Sequence, residues 1–296
     1  MSEVVQIETP PYFSFKQNLG YLTRSADECL FQVADGRVYR WIETGGERHA
    51  VEITEDGEER LRLRFKDEPS GDAREAVVRF VREWFDMDRD LAPFYAMAEQ
   101  DPLLQEAVVR FRGLRLIGIP DLFEALCWGI LGQQINLKFA YVLKKRFVEL
   151  FGSSLEWEGR TLRLFPSPDR VRQLRIEDMT ALQITTRKAE YMIGVAELMA
   201  AGELTKDTVR AAGSLREAEK MLVGIRGIGP WTANYALMRC LRMPDAFPID
   251  DVGLHLAIKY RLGLPDKPSV KQIRELSADW ANWESYATFY LWRTTY

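Results

Sequence analysis

Hydrophobic positions alternate with polar ones early in the chain and change to a helical period after about residue 70. Val51-Glu52-Ile53 and Leu61-Arg62-Leu63-Arg64-Phe65 repeat every second residue. That is the mark of strands with one buried face and one wet face. Leu30-Phe31-Gln32-Val33 and Val38-Tyr39-Arg40-Trp41 flank Asp35-Gly36, a pair that predicts a two-residue hairpin turn. Pro69-Ser70-Gly71 breaks the alternation. Ala73, Val77, Phe80, Val81 and Trp84 then fall at helical spacing between Asp72 and about Phe85, enough to cover the sheet.

From about Leu91 onward the pattern is helical. Asp121-x-x-Glu124 opens a helix carrying Phe123, Leu126, Cys127 and Ile130. Gly132-Gln133-Gln134 interrupts it, and Asn136 caps a following helix through Phe151. Leu155-Glu156-Trp157 and Leu162-Arg163-Leu164 surround Glu158-Gly159 and read as a second hairpin. Ser167-Pro168 starts a short helix, and Thr185 or Thr186 caps one running through Ala200. The expected fold is multidomain α+β: a small antiparallel sheet with a helix over residues 1–88, then an all-α region over 89–296.

Composition narrows the class. The chain has 296 residues, 47% of them hydrophobic and 28% charged, an ordinary balance for a soluble protein. No apolar run reaches the length of a membrane span. The first residues lack the basic and apolar regions of a signal peptide, so a cytoplasmic, nucleoid-associated protein is expected. Cys29, Cys127 and Cys240 lie far apart and read as buried small hydrophobes. With only His49 and His255 available, a zinc or iron site would be starved of ligands.

The stretch from Leu222 to Asp251 carries the chemistry. Ser214-x-x-Glu217 has the capping-box spacing for a helix from Leu215 to Val223, and Gly224 is expected to end it in a left-handed conformation. Gly227 and Gly229 permit a turn that side chains would block, and Pro230 suits the first position of the next helix. Backbone N–H groups of Gly227, Gly229 and the first helical turn are then left facing outward, an anion site suited to a phosphate. Asp250 is expected to cap a further helix from Asp251 to about Leu262, with Asp251 projecting into a cleft.

Leu222-x-x-Ile225-x-Gly227-Ile228-Gly229-x-x-Thr232-Ala233, followed by Pro248-Ile249-Asp250-Asp251, resembles the helix-hairpin-helix (HhH-GPD) DNA glycosylase superfamily. Gly227-Ile228-Gly229-Pro230-Trp231-Thr232-Ala233-Asn234-Tyr235 is most similar to its 3-methyladenine DNA glycosylase II (AlkA-type) branch. Ile130-Leu131-Gly132-Gln133-Gln134-Ile135, Thr186-Arg187-Lys188-Ala189, Trp283-Glu284-Ser285-Tyr286 and Tyr290-Leu291-Trp292 extend the likeness over about residues 115–296. The resemblance implies a hairpin lobe of about 117–243 and a second lobe of about 89–116 plus 244–296.

The resemblance also implies roles. It places the catalyst at Asp251, with Asp250 as cap or water-positioning neighbour. Trp231, Tyr235 and Trp292 match aromatic positions of the branch's base pocket, where π faces attract a cationic alkylated purine. Gln134 matches the side chain that fills the hole left by the flipped base. Gly227, Gly229, Thr232 and Arg226 match the hairpin's contacts to the DNA backbone, and a monovalent cation (Na or K) can sit at that hairpin; no other cofactor is expected. Bifunctional members carry a lysine nucleophile where this chain has Trp231, so the implied enzyme releases the base without cutting the strand. The absence of cysteine after Cys240 excludes the iron–sulfur branch.

The expected activity is hydrolysis of the N-glycosidic bond of 3-methyladenine and 7-methylguanine, with hypoxanthine and ethenoadenine at the edge of the range. The expected partner is double-stranded DNA with damaged bases, met by a monomer. An oxidised-purine glycosylase and a non-catalytic DNA-binding module are the alternatives. Net charge is −4 and the pI about 5.5, so no basic surface marks the chain as a whole. Basic residues cluster at Lys144-Lys145-Arg146, Arg187-Lys188, Arg226, Arg239 and Arg242, which suggests a DNA-facing C-terminal part. Weak non-specific affinity, carried by backbone amides, follows.

Overall fold

The structure is a computed structural model that describes residues 4–57 and 59–295. The first strand, β1 (Val4–Glu8), leads into helix α1 (Phe15–Leu22), capped by Ser14. Then follow β2 (Phe31–Ala34), β3 (Arg37–Thr44), β4 (Glu47–Glu55) and β5 (Arg60–Phe65). The five strands form one antiparallel sheet in the order β1-β5-β4-β3-β2. Asp35 and Gly36 both have positive φ, 52° and 72°, as the tight hairpin turn demands. Helix α2 (Gly71–Trp84), capped by Ser70, lays Val77, Val81 and Trp84 on the sheet. The Asp35-Gly36 turn was a sound guide to β2 and β3, and the alternation to β5. Strand β4 has no wet face, since Glu52 and Thr54 are buried along with Val51 and Ile53, and Glu52 is paired with Arg37 and Arg64. The alternation gave no sign of β1 or α1, whose short apolar runs carry neither period clearly.

The helical part begins with α3 (Ala92–Ala98) and α4 (Gln105–Arg110). Helix α5 (Leu122–Gly132) is capped by Asp121 and α6 (Leu137–Phe151) by Asn136, with the Gly132-Gln133-Gln134 turn between them. Strands β6 (Ser153–Trp157) and β7 (Arg160–Leu164) form the second hairpin, and Trp157 and Leu162 pack on Tyr39 and Ala50 of the first sheet. Short helices α7 (Pro168–Val171) and α8 (Ile176–Thr180) lead to α9 (Thr186–Ala200), which Thr185 caps. Next come α10 (Lys206–Arg210), α11 (Leu215–Val223), α12 (Pro230–Arg239), α13 (Val252–Leu262), α14 (Val270–Leu276) and α15 (Glu284–Arg293). One continuous apolar core runs from the sheet through these helices. The three cysteines are buried and free, as expected. No helix among the described residues is long and apolar enough to cross a membrane.

The sheet and the helices meet through buried charge. Lys144 of α6, 4% exposed, binds Glu28 at 3.2 Å and Glu124 at 3.1 Å, and Arg40 of β3 lies 3.9 Å from Glu124. Burial pushes the Glu28 carboxyl up, but the Lys144 charge and the Leu30 amide outweigh it and hold the group below its ordinary range. Removing one partner of such a cluster leaves an uncompensated buried charge. Lys144→Met should therefore cost about 3–5 kcal/mol in urea unfolding at neutral pH. The deficit should narrow as the pH falls, because protonation removes the orphaned charge of Glu28.

The same cluster corrects the expectation of a basic DNA-facing patch. Lys144 is internal, Lys145 pairs with Asp27, and Arg146 bonds Gln183. Lys188 is buried and donates to Leu131 O at 2.7 Å. Arg239 is buried, Arg242 pairs with Asp86, and Arg226 pairs with Glu190. Of that set, Arg146 and Arg187 are exposed with no ion-pair partner among the described residues, and Arg146 bonds only neutral oxygens of Leu182 and Gln183.

Candidate active site

The hairpin between α11 and α12 is built by two different glycines. Gly224 has helical angles (φ −64°, ψ −15°), so the left-handed end expected there is absent. Gly227 supplies it, with φ 95°. A Cβ on Gly227 would lie 2.2–2.6 Å from ring atoms of Tyr191, so the turn is seated on that ring. Gly229 differs from expectation too. It caps α12 at φ −89°, and a Cβ there would meet nothing within 4 Å. Its freedom is toward open solvent. Among the described residues, the amides of Gly227 and Gly229 donate to no backbone acceptor. They remain available to an anion. At the start of α11, Ser214 Oγ accepts from Glu217 N at 3.3 Å, but Glu217 returns no bond among the described residues.

The hairpin is tied to the α5–α6 turn. Gln133 Nε2 donates to Gly227 O at 2.9 Å and to Thr232 Oγ1 at 3.3 Å. Thr232 is buried, and its methyl group faces Gly129 at a distance that only glycine allows. Its side chain thus serves packing, while its amide lies in the first turn of α12 beside the groove. Gln134 is exposed, with φ 55°, at the tip of the same turn. Arg226 is exposed and its charge is shared with Glu190 at 2.6 Å. Gln133, Tyr191, Gly227, Gly229, Trp231 and Asp250 line one open groove.

Helices α12, α13 and α15 converge beside it. Trp231 and Tyr235 are one turn apart on α12, and their rings stack with centroids 5.3 Å apart at 26°. Tyr235 also meets Trp292 of α15 at 6.1 Å. Tyr235 is buried, and its hydroxyl accepts from Arg239 Nη1 at 2.9 Å. Burial pushes its phenol up, against the opposing pull of Arg239.

Asp251 closes the set, and it corrects the expected division of labour between the two aspartates. The cap of α13 is Asp251, whose Oδ1 accepts from Leu254 N at 2.9 Å. Asp250 is exposed and caps nothing. Asp251 is partly exposed and also receives both indoles. Trp292 Nε1 donates to Oδ1 at 2.7 Å, and Trp231 Nε1 donates to Oδ2 at 3.0 Å. The structure thus brings Asp251, Trp231, Tyr235 and Trp292 together. It leaves Gln134 and Arg226 outside that cluster, near the hairpin. Sequence reasoning missed Gln133, Tyr191 and Gly253. A signal existed for Gly253: glycine in the first turn of a helix is costly unless something comes close.

A carboxylate held at a helix N-terminus, flanked by aromatic rings and by outward-facing amides, can stabilise a cationic sugar and grip a phosphate. Residues 127–282 match the model of the HhH-GPD superfamily base excision DNA repair protein. Residues 15–126 match that of the 8-oxoguanine DNA glycosylase N-terminal domain. The chain is 48% identical over 299 residues to the DNA-3-methyladenine glycosylase of Bacillus subtilis (strain 168), covering 100% of this chain and 98% of that protein. It is 33% identical over 183 residues to DNA-3-methyladenine glycosylase 2 of Escherichia coli (strain K12), covering 62% and 61%. The fold is similar to that of a 3-methyladenine DNA-glycosylase from Archaeoglobus fulgidus (TM-score 0.85, 23% identity, 98% and 97% covered). The chain belongs to the HhH-GPD superfamily of base excision DNA repair proteins and, within it, to the 3-methyladenine glycosylase branch.

Proposed function

We propose that the protein is a monofunctional DNA glycosylase that hydrolyses the N-glycosidic bond of alkylated purines, acting as a monomer on double-stranded DNA. The observation that carries this reading is the anchored carboxylate of Asp251 between two indoles, one helix away from a hairpin with free amides. The target bond is hidden in a duplex, so the nucleotide must rotate out of the stack. The amides of Gly227 and Gly229 hold the strand while Gln134 fills the vacated space. Loss of the base leaves positive charge on the sugar, and Asp251 stabilises it by charge. An alkylated purine leaves readily because it is already cationic, and aromatic faces favour it over a neutral base. Trp231, where a strand-cutting member carries an amine, has no nucleophilic nitrogen, so the product is an abasic site.

The similarity to the Bacillus subtilis protein over the full chain supports the choice of alkylated purines. A panel of duplexes, each with one lesion, tests it. Release of 3-methyladenine and 7-methylguanine is expected, with strand breaks only after alkali treatment. Breaks without alkali would overturn monofunctional chemistry. Preference for 8-oxoguanine would favour an oxidised-purine enzyme. Tight binding of abasic DNA with no base released from any lesion would leave a binding module.

A further inference from the structure

Asp251 is bonded more heavily than a helix cap requires. Its two oxygens together receive three N–H donors: the Leu254 amide, Trp292 Nε1 and Trp231 Nε1. Gly253 makes room for this. A Cβ there would lie 2.9 Å from Asp251 Oδ1 and 3.3–3.4 Å from the Trp292 indole. Two indoles that served only as stacking surfaces would need neither aligned nitrogens nor that glycine.

Resting on the glycosylase reading above, we propose that the indole N–H groups of Trp292 and Trp231 are positioning groups that divide the Asp251 carboxylate into a fixed oxygen and a working oxygen. Oδ1 is the fixed one. Its backbone donor cannot leave without unwinding the first turn of α13. Its other donor sits on a nearly buried ring, on a helix anchored by Tyr286 to Asp86 and by Tyr290 to Leu114 O. Oδ2 is the working one. It holds a single donor, from a half-buried side chain that borders the open groove and can rotate. The sugar's positive charge meets Oδ2 as the Trp231 N–H gives way. A carboxylate has roughly four acceptor sites. With Oδ1 held by two donors and the freed Oδ2 turned to the cationic sugar, this one acts by charge more readily than by taking a proton from water.

The chain has eight tryptophans, so its indole N–H spectrum is simple enough to read by NMR. Trp231→Phe and Trp292→Phe assign the two resonances. Asp251→Asn should move both and leave the rest in place. A duplex with a tetrahydrofuran abasic analogue should move the Trp231 resonance and spare that of Trp292. In single-turnover assays on 7-methylguanine DNA, Trp292→Phe keeps an aromatic face but loses the donor. It should slow base release about 10–100-fold, as a misaimed catalytic group does, with affinity for the abasic duplex within about threefold. Gly253→Ala, which crowds the same oxygen, should act alike and serves if Trp292→Phe does not fold. Unmoved indole resonances in Asp251→Asn, or wild-type rates in these variants, would overturn the positioning role. Absence of base release by the wild-type protein would instead overturn the glycosylase reading, since the NMR result does not depend on turnover.

Discussion

Replacing Asp251 by asparagine should lower base release from methylated DNA by about 10²–10³-fold, the usual cost of removing one preorganised electrostatic contact to a transition state. The substitution is informative because it spares the fold. Asparagine is as good an N-cap as aspartate, and its carbonyl oxygen can still accept from Leu254 N and Trp292 Nε1. Its NH₂ group then faces the Trp231 N–H, donor against donor, so one hydrogen bond is lost at a cost of about 1 kcal/mol. An amide carries no charge to set against a cationic sugar. Activity should therefore fall far more than stability. Asp250→Asn is the control: its side chain is exposed and caps nothing, so base release should stay within a few-fold of wild type. Urea unfolding and single-turnover base release, measured on the same preparations, separate the two effects. Undiminished activity in Asp251→Asn would remove Asp251 from the mechanism.

What could be read from the sequence was local. The Asp35-Gly36 and Glu158-Gly159 turns, the Asp121, Asn136 and Thr185 caps and the break at Gly132-Gln133-Gln134 depend on neighbours a few residues away. The site's four main residues, Trp231, Tyr235, Asp251 and Trp292, were legible through the resemblance to the glycosylase family, not through local pattern alone. The errors came from partners distant in sequence. Lys144 looks like a solvated or DNA-facing cation until Glu28 arrives from 116 residues upstream. Arg242 is claimed in the same way by Asp86, 156 residues away. Which of two adjacent aspartates caps α13 is a difference of one residue, and both types are equally good caps. Tertiary contacts decide it: the two indoles that reach Asp251 fix where the helix begins. With so many cations spent internally, the acidic pI ceases to be a puzzle. On the proposed reading strand grip falls mainly to backbone amides, and the salt dependence of DNA binding should be shallow for a DNA-binding protein.

The two hairpin glycines should behave in opposite ways when each is changed to alanine. In Gly227→Ala, the residue must hold φ 95°, and its new methyl group collides with the Tyr191 ring. Backbone strain and overpacking each cost about 1–3 kcal/mol, so a total near 3–4 kcal/mol is expected, with loss of DNA binding as the turn deforms. Gly229→Ala meets neither obstacle. Its φ of −89° suits any residue, and the added methyl points into open space. Alanine is a poorer N-cap than glycine, which costs no more than about 1 kcal/mol. If a phosphate docks on the Gly229 amide, that methyl group stands in the way, and affinity for an abasic duplex should fall about tenfold, or ~1.4 kcal/mol. A double mutant cycle isolates the steric part at Gly227. Tyr191→Ala on the Gly227→Ala background should recover more than about 1 kcal/mol through coupling of the two sites. Additive losses would show that Tyr191 is no seat for the turn. Wild-type affinity in Gly229→Ala would mean that the strand is held somewhere other than this amide.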